Sequence, residues 1–157
     1  MVLRFFLILI FSVKSSLLFA QGYDVFGIGF YDVKLDGSSS KFATDYRYER
    51  RFDKTLIDIG PEEDNFFYLK PFAGIEFTSD SAFYLLGGIY LEDNLGELIV
   101  GKENKWKLIP SFGFGYYDDG NGKNLGNAIE FRTTLEINYQ LDNLERIGIS
   151  FGHISNA

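Results

Sequence analysis

Seven stretches of this chain alternate hydrophobic and polar residues with a period of two. At that period successive side chains leave opposite faces of a β-strand. The first expected strand runs from about Val25 to Val33, with Phe26, Ile28 and Phe30 against Gly27, Gly29 and Tyr31. The second, about Phe42 to Phe52, sets Phe42, Tyr46, Tyr48 and Phe52 against Asp45, Arg47, Glu49 and Arg51. Arg50 falls on the aromatic face, near a strand end where a long side chain can snorkel. Strands three and four are expected at about Phe66–Phe77 and Ala82–Glu92, and strand five at Lys105–Tyr117. Strand six, Asn127–Gln140, alternates most regularly: Ile129, Phe131, Leu135, Ile137 and Tyr139 oppose Glu130, Arg132, Thr134, Glu136, Asn138 and Gln140. Strand seven is expected from Leu144 to Ser155. Gly- and polar-rich segments (LDGSSSK, DDGNGKNLG, LDN) separate the strands as turns. Asp53–Asn65 is the longest irregular stretch, and DNLGELIVGKEN reads as a loop with a short extension of a neighbouring strand.

Two all-β architectures fit this pattern. In a soluble sandwich the apolar faces meet in a core and the polar faces see water. In a membrane barrel the apolar faces meet lipid and the polar faces look inward. The apolar faces here are large and aromatic along their whole length, and the polar faces carry both charge signs with interspersed glycine. The turns also alternate between short and long. These features favour an antiparallel up-and-down outer-membrane β-barrel. Bacterial barrels have even strand numbers, so seven strands imply an eighth, expected past Ala157.

The N-terminus supports export. In MVLRFFLILIFSVKSSLLFAQG, Arg4 gives a positive n-region, Phe5 to Val13 an apolar h-region, and Ala20 a small residue at the expected cleavage point. Residues 1–20 are therefore expected to be a signal peptide and residues 21–157 a transmembrane β-barrel domain lacking its last strand. Removing residues 1–20 takes away Arg4 and Lys14 and makes a chain of net charge −7 more negative still. An acidic chain without a basic cluster argues against nucleic acid. With no cysteine and one histidine, disulfides, thiolate chemistry and a transition-metal site are not expected; no cofactor is implied. Past residue 20 no apolar run reaches the roughly 18 residues of a membrane helix, but a closed barrel also spans.

The only histidine, His153, precedes Ser155 by two positions. On a strand the two share a face, here with Ile147, Ile149 and Phe151. Same-face neighbours lie about 6–7 Å apart at the backbone, close enough for side chains to converge as base and nucleophile. The bland alternative is an interfacial histidine beside a turn serine. If the first strand starts in the periplasm, odd strands run outward and His153 and Ser155 reach the outer leaflet. The inward charges are expected to neutralise one another in a plugged lumen, since an eight-strand barrel is only wide enough to be filled by side chains. Trp106 and the tyrosines read as interfacial aromatics. DDGNG lacks the ligand spacing of a calcium loop.

The blocks KPFAGIEFTSDSAFY, PSFGFGYYDDGNGKNLG and EFRTTLEINYQLDN, followed last by HISNA with RIGISF before it, resemble in this order the lipid A 3-O-deacylases of the PagL type. The resemblance implies an eight-stranded outer-membrane barrel of Gram-negative bacteria. It implies hydrolysis of the ester-linked acyl chain at the 3 position of lipid A by a Ser-His-Glu triad on the lipid-facing surface. By motif, His153 is the general base and Ser155 the nucleophile; Asn156 matches the motif without an assigned role. The family's glutamate and Asn-Pro-Gly turn are expected beyond Ala157, which leads us to expect weak or no activity until that strand is supplied. Asp32, on the outer face of the first strand, is the one in-chain substitute, if seven strands close directly. Lipid A or lipopolysaccharide is the implied substrate, outer-membrane lipids are the surroundings, and a homodimer is compatible with this reading. The alternatives are a non-catalytic structural or adhesive barrel and, third, a secreted sandwich that binds ligand.

Overall fold

A computed structural model describes residues 5–14 as backbone, and residues 21–33, 42–58, 68–141 and 145–156 with side chains. Its elements are β1 (Phe5–Lys14), β2 (Gly22–Val33), β3 (Ala43–Phe52), β4 (Ile57–Asp58), β5 (Tyr68–Thr78), β6 (Phe83–Tyr90), β7 (Asp93–Asn94), α1 (Leu95–Val100), β8 (Trp106–Asp118), β9 (Ile129–Gln140) and β10 (Glu145–Ser155). The seven expected strands are β2, β3, β5, β6, β8, β9 and β10. Their observed ends lie within a few residues of those read from the alternation.

Every pairing is antiparallel, and the long strands close a ring in the order β1, β2, β3, β5, β6, β8, β9, β10 and back to β1. The ring is an up-and-down β-barrel. The eighth place, between β10 and β2, is held by β1, the segment read as the apolar part of an export signal. β1 pairs with β10 from Phe6↔Gly152 to Val13↔Glu145. It pairs with β2 from Lys14↔Tyr23 to Phe5↔Val33, with a register shift near Phe5. That shift lies beside Asp32, whose φ of 59° is the left-handed conformation at a bulge. β2 and β10 both run towards the rim that carries Ser155, here called the upper rim. They are parallel to each other, so one antiparallel strand belongs between them.

The ring is inside out relative to a soluble protein. Phe26, Ile28, Phe30, Phe77, Leu85, Phe112, Phe114, Leu135 and Ile149 are exposed, whereas Asp45, Arg47, Glu49, Arg51, Glu76, Arg132 and Glu136 are buried. Water would not select such a partition; a lipid surround does, because the lumen is where charges can find partners. No described helix is long and apolar enough to cross a membrane, and the strands take that part.

Inside, Arg51 forms the hub. Its guanidinium donates to Glu136 at 3.0 and 2.8 Å and to Glu49 at 3.1 and 3.0 Å. Tyr23 and Tyr90 flank it, with ring centroids 5.8 and 5.4 Å away. Arg132 donates to Glu76 and Glu49, and Asn138 donates to Glu136 at 2.6 Å. Phe72 enters the same lumen under Arg132. It fits because Gly88 and Gly113 lie beneath it: a Cβ at either would stand 2.7 or 2.9 Å from its ring. The lumen is therefore plugged by ion pairs, as expected, and by aromatic rings as well.

At the lower rim, Glu92 accepts from Arg146 at 2.8 Å and from Tyr23 at 3.1 Å. Burial pushes the Glu92 carboxyl up, but the Arg146 guanidinium outweighs it and holds the carboxyl below the usual range. The ambiguous stretch after Glu92 resolves into β7, which pairs with β8, and the single-turn helix α1. Asn94 caps α1 by accepting from the Gly96 and Glu97 amides, and Gly101 ends it in the left-handed conformation.

Candidate active site on the outer wall

β10 alternates Arg146, Gly148, Ser150, Gly152 and Ile154 into the lumen with Ile147, Ile149, Phe151, His153 and Ser155 outward. The inward glycines keep that side thin. At Gly148 a Cβ would collide with the Asn138 carboxamide and the Ile137 carbonyl, so no other residue fits against β9 there. The outward positions form an apolar stripe that ends in the histidine and the serine. Both are half-buried, one pleat apart, at the upper end of the strand. The shared face expected from their spacing is present.

Strand register adds neighbours that spacing alone could not supply. His153 stands opposite Thr133, and Ser155 opposite Phe131, on β9. Directly opposed residues in an antiparallel pair have Cβ atoms about 4.5–5.5 Å apart. The exposed Thr133 side chain is therefore the nearest polar neighbour of the imidazole on that side. One strand further, Phe112 and Phe114 face Thr133 and Phe131. Phe112 and Phe131 stack with centroids 6.0 Å apart and planes 19° apart, and Phe114 lies 6.4 Å from Phe131. The pair thus borders an aromatic wall open to the lipid side.

Above the wall, the 119–128 connection leans on the end of β10. Asn156 donates its side-chain amide to the Leu125 carbonyl at 2.7 Å. Gly126, with φ of 103°, lets the chain pass close by: a Cβ there would stand 2.9 Å from Asn156 Nδ2. Tyr117 donates to the Lys123 carbonyl at 2.8 Å, and the Asn121 amide donates to the Asp80 carbonyl at 2.8 Å. Asn156, without an assigned role in the sequence, fastens this connection to the strand that carries the serine.

The remaining sequence candidates fall elsewhere. The buried charges Asp45, Arg47, Glu49, Arg51, Glu76, Glu130, Arg132 and Glu136 face the lumen, away from His153 and Ser155. Asp32 belongs to β2, and β1 stands between it and β10, so it is not a strand neighbour of the pair. DDGNG forms part of the 119–128 connection, with Gly120 N–H donating to Asp118 Oδ1 at 3.0 Å. Among the described residues no group of three His, Cys, Asp or Glu side chains is arranged to hold a metal. Trp106 is exposed on the outer wall at the lower rim and meets Tyr139 edge-on, as an interfacial aromatic would.

Fold and site together define an antiparallel β-barrel with a histidine–serine pair on its outer, apolar wall. Residues 95–157, which contain α1, β8, β9 and β10, match the family model of the lipid A 3-O-deacylases (PagL). This part of the chain is PagL-like, and at the level of the family the match points to a lipid A deacylase of the outer membrane. No curated protein and no solved structure matches the chain.

Proposed function

We propose that this chain is an outer-membrane lipid A 3-O-deacylase in which Ser155 is the nucleophile and His153 its general base. One observation carries the reading. The segment that matches the PagL family ends in a histidine and a serine that share the lipid-facing side of one strand.

The chemistry follows from that placement. A serine hydroxyl alone is a weak nucleophile, and a neutral imidazole in reach removes its proton as it attacks. Ser155 Oγ bonds to the carbonyl carbon of the 3-linked acyl group while His153 takes the hydroxyl proton. Collapse of the tetrahedral intermediate breaks the bond to the sugar oxygen, and His153 returns the proton to that oxygen as it leaves. Water, activated by the same imidazole, then releases the fatty acid from Ser155. The outer wall suits this substrate. Lipid A reaches it by lateral diffusion, and its acyl chains can lie against Phe112, Phe114 and Phe131 without leaving the membrane. On this reading residues 1–20 export the chain and are removed, and the remainder works in the outer membrane of a Gram-negative bacterium.

Mass spectrometry of lipid A from cells that express the protein tests the assignment. The expected result is loss of one 3-linked acyl chain, abolished by Ser155→Ala and by His153→Ala. A folded barrel that leaves the lipid A mass unchanged refutes the enzyme and favours a structural or adhesive barrel.

A further inference from the structure

A cleft of about 290 Å³ opens at the upper rim between the end of β8 and the 119–128 connection. Its volume is at the small end of ligand pockets. Tyr116, Asp118, Asp119, Asn124 and Asn127 contribute to its lining, and no lysine, arginine or histidine is among its lining residues. Tyr116 stands outward with about half its surface exposed.

The position of this cleft relative to Ser155 follows from the register. Ser155, Phe131 and Phe114 form one cross-strand row, and Ile129 and Tyr116 form the next row towards the rim. With strands about 4.8 Å apart and same-face rows about 6–7 Å apart, Tyr116 lies roughly 12 Å from Ser155, up and to one side. The wall therefore changes character along one line: phenylalanines beside the histidine–serine pair, then a tyrosine, then carboxylates and amides. An acylated glycolipid changes in the same order, from chains through ester to sugar.

We propose that this cleft is a saccharide subsite that holds the sugar headgroup of the acylated glycolipid whose ester is presented to Ser155; the proposal rests on the deacylase reading. An exposed aromatic ring offers a stacking face to the apolar side of a sugar ring. Carboxylates accept from its hydroxyls, and primary amides both accept from and donate to them. Two carboxylates disfavour a bare phosphate, so the sugar rather than its phosphate occupies the cleft. The cleft is held in register with the nucleophile by the bond from Asn156 to the Leu125 carbonyl and by the turn in which Asn124 Oδ1 accepts from the Gly126 amide at 2.8 Å. Asn156 acts here as a positioning residue: it ties the sugar-binding connection to the strand of Ser155.

Binding tests this without relying on turnover. In the full chain carrying Ser155→Ala, calorimetry compares detergent micelles that contain lipid A with micelles that contain phosphatidylethanolamine. The parent is expected to prefer lipid A. Tyr116→Ala and, separately, Asn127→Ala are expected to weaken lipid A binding about tenfold, the scale of one lost ring contact or hydrogen bond. Tyr116→Phe is expected to keep the affinity, because the ring is what stacks, and Asn156→Ala to lose it. Heat-modifiable gel mobility confirms that each barrel is folded. A parent that prefers lipid A, with Tyr116→Ala and Asn127→Ala binding equally tightly, overturns the subsite and leaves the deacylase reading standing. Affinity that collapses when lipid A is dephosphorylated also overturns it. A folded parent without preference for lipid A removes both.

Discussion

Arg51 is the residue on which the interior most depends. It is fully buried and saturated: two carboxylates accept from it and two tyrosine rings flank it. Removing one partner of a buried ion pair costs more than the pair contributes, because the remaining charge is left without compensation. Arg51→Ala should lower the free energy of unfolding by about 3–5 kcal/mol, and Glu136→Gln in the same chain should recover part of the loss. Urea unfolding in detergent micelles, followed by Trp106 fluorescence, measures both. A loss below about 1 kcal/mol, the worth of an exposed pair, would mean that water screens the lumen. The charges of this network were legible in the sequence, since alternation puts Asp45, Arg47, Glu49 and Arg51 on one face. Their pairing was not, because it depends on which strands become neighbours. Phe72 was missed for a related reason. A phenylalanine inside a polar lumen becomes sensible only when Gly88 and Gly113, on two other strands, are seen to make room for it. Thr133 likewise becomes a neighbour of His153 only through register.

At the scale of elements, alternation located all seven long strands from β2 to β10, because each buries one face in the lumen and offers the other to lipid. α1 escaped it: six residues are too few for a helical period, and only the flanking Asn94 and Gly101 mark its ends. β1 is the informative case. Its sequence, FFLILIFSVK, is apolar at its first seven positions, a longer unbroken apolar run than any other barrel strand carries. A strand in its place has one face towards a charged lumen, which such a run does not suit. The place itself is strongly specified, because β2 and β10 are parallel and each offers a row of backbone groups that lipid cannot satisfy. We therefore propose that residues 1–20 are the export signal. The protein purified from outer membranes should begin at Gln21, as read by intact mass and N-terminal sequencing. A membrane form that retains residues 5–14 would instead make β1 a true strand of the barrel.

The whole molecule raises a question of orientation, on which two general rules disagree. Barrels tend to carry short turns on the periplasmic side and longer loops outside. By that rule the lower rim, with the 53–67 and 91–105 connections, would face out and Ser155 would face in. Connectivity gives the opposite answer. A chain delivered from the periplasm starts β2 there, and strict up-and-down order then carries the ends of β2, β5, β8 and β10 to the outside. We give connectivity the greater weight, because loop length is a tendency whereas the order of an antiparallel ring allows no exception once one end is placed. The same orientation sets Ser155 and the 119–128 connection at the outer leaflet, where the proposed substrate resides. The absence of cysteine makes the choice directly measurable. A single cysteine at Asn121, in the upper connection, should react in intact cells with a polymer-linked maleimide too large to cross the outer membrane. A single cysteine at Ile99, an exposed residue of α1 at the lower rim, should react only after the outer membrane is permeabilised. The reverse pattern would turn the histidine–serine pair towards the inner leaflet. Outer-leaflet lipid A would then be beyond its reach, whatever the chemistry of the pair.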